Sequence, residues 1–138
     1  MTLLRFAIAA LSILVVGRGL TSMVLFSFVF KKVFDEKLPA FRPEGEERWG
    51  IMFVGYASWS LVFSYLFGLV HPSGGVSQGL GFGALVWAIY FLPMVTAIYA
   101  TFGVTRKWAL SALVIGAGES LVGGVAAGVV YGWGVLTP

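Results

Sequence analysis

Three observations predict an all-α fold, a transmembrane four-helix bundle. Four apolar segments, at about 4–30, 50–70, 79–103 and 108–133, each match or exceed the ~20 residues an α-helix needs to cross ~30 Å of hydrocarbon. Hydrophobic residues make up 59% of the 138-residue chain and charged residues 11%, well under the roughly 25% charged residues of a soluble domain. The charges that occur gather mostly in the links between apolar segments. A soluble fold of this length leaves much of its surface exposed and cannot hide so much apolar area. The length predicts one domain, 1–138.

Each span is expected to be continuous helix, because hydrocarbon offers backbone amides no partner. A barrel would need alternating segments of about ten residues, and the sequence has none. Span one begins with Arg5 and the apolar run Phe6 to Val16, which has the outline of a signal peptide. Gly17-Arg18-Gly19 and a further apolar stretch to Phe30 follow, with no convincing small-x-small cleavage site beyond the first apolar run, so the segment is expected to stay as a helix. The first link carries Lys31, Lys32, Lys37, Arg42 and Arg48 beside Asp35, Glu36, Glu44, Glu46 and Glu47. Pro43 followed by acids predicts a helix start, since proline fits the first turn and carboxylates favour the positive end of the dipole. Glu44 and Arg48 are spaced to pair on that helix.

After span two, the second link contains His71-Pro72-Ser73-Gly74-Gly75 and no Lys or Arg, and reads as a tight turn. Gly79, Gly81 and Gly83 follow no strand and lack the Lys-Ser/Thr of a phosphate loop. They predict close packing of spans two and three. Pro93, near the centre of span three, cannot donate to the Ile89 carbonyl and predicts a kink. The third link carries Arg106 and Lys107.

Seven of the basic residues thus lie on the first and third links, against Arg5 alone on the other side. The positive-inside rule then orients both termini and the His71 loop outward. Trp49 and Trp108 at one interface, and Tyr131 and Trp133 at the other, fit an aromatic belt. The net charge of +3 is accounted for by this flanking pattern, so no nucleic-acid partner is expected. The absence of cysteine excludes disulfides and thiol chemistry. The single histidine, His71, is a poor basis for a metal site, and no cofactor or catalytic constellation is predicted.

Two charges lie within spans. Arg18 is thirteen residues from Lys31 and Glu119 twelve from Lys107, and both lysines mark the same interface. At ~1.5 Å per residue both charges sit roughly 18–20 Å deep, near the midplane. A lone charge there costs about 2.5–3.5 kcal/mol on insertion scales, so an Arg18–Glu119 pair joining spans one and four is expected. Ser60 and Tyr90 fall at a similar level and complete a predicted polar cluster. Span four also carries Ala112, Gly116, Ser120, Gly124, Gly128 and Gly132 at every fourth position, a small-residue stripe that lets helix backbones touch. Its expected partner is span one or a second protomer.

Arg42-Pro43-Glu44 in the first link, Tyr99-Ala100-Thr101 at the end of span three and Gly116-Ala117-Gly118-Glu119 in span four resemble the pattern of small bacterial four-helix integral membrane proteins of unknown function. The resemblance covers most of the chain and implies a multi-pass fold in the bacterial inner membrane, with no activity attached. Arg18 is not part of that pattern. Small multidrug exporters are similar in size, but their essential acid lies in the first span, where this chain has Arg18.

The expected function is that of a non-enzymatic accessory or self-associating bundle, bound to a membrane-protein partner or to its own copies through span four. The alternative is a small oligomeric transporter or channel in which Glu119 titrates.

Overall fold

The computed structural model describes residues 2–34 and 48–133. It is an all-α four-helix bundle, and its helices Leu3–Val29, Trp49–Val70, Val76–Thr101 and Arg106–Gly132 are long and apolar enough to cross a membrane. They are spans one to four. One further helical turn, Lys31–Phe34, follows span one. The expected helix start at Pro43, the Glu44–Arg48 pair and the Arg42-Pro43-Glu44 motif involve positions outside the described residues.

Helix starts follow local chemistry. The Thr2 hydroxyl accepts the Arg5 N–H at 3.4 Å, and the Thr105 hydroxyl accepts the Trp108 N–H at 3.2 Å. Each satisfies an amide that has no partner within its helix. Between spans two and three, Gly74 and Gly75 adopt φ of 66° and 127°, which only glycine takes without strain. The Gly75 N–H then donates to the Gly128 carbonyl at 2.8 Å, docking the turn on span four. His71 ends span two with its ring against Phe67 and Phe82.

Span four is the spine of the bundle and the most buried helix. Spans one and three pack on it along different faces. Span two packs mainly on span one, and meets span three through aromatic side chains rather than backbone.

The glycine stripe of span four does not lie against span one, the first of the two partners expected for it. It lies against span three of the same chain. A Cβ added at Gly79 would overlap the Gly124 carbonyl, one at Gly83 would overlap that of Ser120, and one at Gly128 would overlap that of Gly75. Each step of four along span four is matched by a step of four back along span three, so Gly75, Gly79 and Gly83 form the complementary stripe. Gly79 and Gly83 therefore serve the contact with span four, not the span two–three hairpin, and an added Cβ at Gly81 meets nothing. The stripe is covered within one chain because the short link between Thr101 and Arg106 holds spans three and four antiparallel.

Around the Tyr131 end the bundle is filled. Ala9, Ile13, Phe63, Phe67, Phe82 and Ala127 are buried together with Val130 and Tyr131. The rings of Phe63 and Phe67 meet Phe82 edge-on, at 5.0 and 5.4 Å between centroids, a favoured aromatic arrangement. Tyr131 is a core residue rather than a belt residue. Its hydroxyl donates to the Ser64 carbonyl at 3.1 Å, while the Ser64 hydroxyl donates to the Phe6 carbonyl at 3.1 Å. Trp49 and Trp133 are exposed, at opposite ends of their spans.

Candidate functional site

Arg18 and Glu119 meet inside the bundle. Arg18 Nη1 donates to Glu119 Oε2 at 2.6 Å, and the residues are 6% and 3% exposed. The second carboxylate oxygen, Oε1, accepts from the hydroxyl of Ser22, four residues along span one on the same helical face. Spans one and four reach each other here because Gly17 lies on Gly123. A Cβ added at Gly17 would sit 2.8 Å from the Gly123 Cα and 3.2 Å from the Glu119 carbonyl oxygen.

Span one adapts its backbone at this point. Residues Ile13–Leu20 form π-type hydrogen bonds, and the Thr21 hydroxyl donates to the Val16 carbonyl at 2.9 Å. Such wide turns sit frequently at functional sites, and Arg18 lies within this one. Span one has another π turn at Leu25–Val29, and a third, Trp87–Phe91 in span three, ends just before Pro93, with the Leu92 N–H donating to the Trp87 carbonyl. The backbone of span three is thus rearranged next to the proline that cannot serve Ile89.

The guanidinium is stacked rather than hydrogen-bonded on its other sides. Its Cζ lies 4.3 Å from the Trp59 ring centroid, 4.6 Å from Tyr56 and 5.2 Å from Phe91. Cation–π attraction is worth roughly 0.5–2 kcal/mol at such distances, more where water is excluded. Among the described residues Glu119 is the one hydrogen-bond partner of the Arg18 side chain, and Nε is buried without any. A guanidinium carries five N–H donors, so most of its capacity is uncommitted.

A cavity of about 440 Å³ opens on the Trp108 side of the pair. Arg18 and Glu119 lie at its inner end, and Tyr56, Trp59, Phe91 and Trp108 supply aromatic walls. Its rim between spans two and three is open, with Met52, Tyr90 and Met94 exposed by 39%, 44% and 36%. The reason lies in one face of span three. Toward the turn that face carries Gly75, Gly79 and Gly83 against span four. Beyond Gly83 it carries Trp87 and Phe91, with Trp87 Nε1 reaching the Leu113 carbonyl at 3.0 Å and Phe91 filling the position beside Gly116. Large side chains hold the helices apart where glycine would let them close.

Of the four residues expected to cluster, three line this cavity. Arg18 and Glu119 are in contact and Tyr90 stands at the rim. Ser60 is elsewhere. It is buried, and its hydroxyl donates to the Tyr56 carbonyl of its own helix at 2.9 Å, a common habit of helical serine. One residue beyond Trp59, it is turned about 100° away from the cavity wall. Ser22 is the polar partner that sequence reading omits, although its spacing of four from Arg18 is a usable signal. Nothing in the sequence singles out Tyr56, Trp59 and Phe91 as the rings around the arginine, because aromatic residues make up 16% of the chain.

Comparison with protein-family models, with curated proteins and with solved structures finds no match for this chain.

Proposed function

We propose that this chain is a non-enzymatic integral protein of the bacterial inner membrane, crossing it four times with both ends outside, and serving as an accessory or binding bundle. The observation that carries this reading is the occupancy of Glu119. Both carboxylate oxygens are engaged from span one, by Arg18 and Ser22, and the arginine is enclosed by three rings. Those bonds make the pair a clasp between spans one and four. Removing one partner of a buried pair leaves an uncompensated charge and costs about 3–5 kcal/mol, whereas removing both is often near neutral. Arg18→Leu and Glu119→Leu are each expected to lower unfolding stability in detergent by that amount, and the double variant to regain most of it. Three equal losses would count against the clasp. For orientation, a reporter active only outside the cytoplasm should be active at the carboxyl end and silent beside Arg106. The reverse pattern overturns the topology.

The cavity supports a second reading, a small transporter in which Glu119 titrates. It requires Glu119→Gln to abolish proton-dependent flux in liposomes while the bundle stays folded. Equal flux for both proteins removes it.

A further inference from the structure

The geometry points to a ligand site in the cavity below Trp108 for an uncharged, membrane-soluble carbonyl compound, a quinone-type ring with an alkyl tail being the chemistry that fits best. The inference rests on the chain being a membrane bundle and not on the role of the clasp in stability. Four observations define the occupant. The volume of about 440 Å³ lies in the range of small-molecule sites. The opening runs between spans two and three, flanked by exposed apolar residues such as Met52 and Met94, so entry is from the hydrocarbon and the ligand is lipophilic. Aromatic faces and edges form the walls, which suits a flat ring.

The fourth observation sets polarity and charge. Arg18 is nine-tenths buried at the inner end of the cavity, and its Nε has no hydrogen-bond partner. The guanidinium can only donate, so the ligand must bring an acceptor. Arg18 and Glu119 neutralise each other, and no other charged side chain lines the cavity among the described residues. An anion or a cation would therefore leave an unbalanced charge in a region of low dielectric. A carbonyl oxygen accepts from the arginine and adds no net charge.

The experiment uses the full chain in phosphatidylcholine nanodiscs and four probes sharing a decyl tail: a benzoquinone, a plain benzene, a trimethylammonium and a sulfate. The benzoquinone is expected to bind saturably at one site per chain, about tenfold or more tighter than the other three, the gain from one hydrogen bond to a charged donor. In an Arg18→Met/Glu119→Gln variant, which keeps the cavity neutral, that advantage should vanish while decylbenzene binding is unchanged. An azide on the quinone ring should crosslink to Tyr56, Trp59 or Met94. Equal affinity for decylbenzene, preference for either charged probe, or full quinone binding by the double variant each overturns the proposal. If the double variant does not fold, the probe series on the unaltered chain decides alone. Recovery of the chain outside the membrane fraction would instead defeat the membrane reading, independently of any probe.

Discussion

Around Tyr131, glycines of span three lie on the backbone of span four, and Phe63, Phe67 and Phe82 fill the remaining space. Around Trp108 the same two helices are held apart by Trp87 and Phe91, and a cavity of about 440 Å³ remains. In lipid, hydrocarbon tails are as apolar as leucine, and helix association depends on how closely backbones approach. Three glycines at intervals of four decide closure on one side of the midplane, and their replacement by rings decides the opening on the other. The Arg18–Glu119 pair stands at the boundary, where it is dry enough to stay paired and still borders the open space.

Substitutions separate the two halves most sharply at the glycines. Gly79→Leu or Gly124→Leu places side-chain atoms on opposing backbone, which cannot yield, and is expected to cost ~3 kcal/mol or abolish folding. Gly81→Leu, with nothing within 4 Å of its Cβ, should leave unfolding in detergent nearly unchanged. Equal tolerance at Gly79 and Gly81 would break the comparison.

At the boundary, Ser22→Ala removes one of the two hydrogen bonds to Glu119 and should cost ~2 kcal/mol, read from the same unfolding curves. In the filled half, Tyr131→Phe loses the hydroxyl bond to the Ser64 carbonyl but keeps the ring packing, for ~1 kcal/mol. The smallest effect belongs to the hollow half. Ala112→Leu adds volume into the cavity rather than onto backbone, so stability should change by less than ~0.5 kcal/mol while the cavity shrinks. A loss there as large as at Gly124 would show that the two halves are equally tight.

The midplane pair is legible in the amino-acid sequence because depth is countable. With Lys31 and Lys107 taken as the ends of their spans on one side of the bundle, helical rise carries the count to Arg18 and Glu119. The stripe on span four is equally visible, yet its partner is not. Period four identifies a face suited to close approach without saying which helix takes it. The complementary Gly75, Gly79 and Gly83 are plain in the sequence, but Gly81 between them blurs the period. Tyr131 near a helix end has the same composition signal whether it points to an interface or into a core, and only the Ser64 contact distinguishes the two.

The sequence by itself determined four apolar helices, their lengths, the links between them and the common depth of two opposite charges. These follow from the chain's own rise, composition and backbone hydrogen bonding, which need no knowledge of neighbours. The tertiary structure alone decided that span three covers the glycine stripe, that Ser60 turns away while Ser22 joins the carboxylate, and that Arg18 is enclosed by rings beside an open cavity. Those outcomes depend on the rotation of each helix about its axis. Rotation is set by which surfaces fit, a property of pairs of helices that no single segment contains.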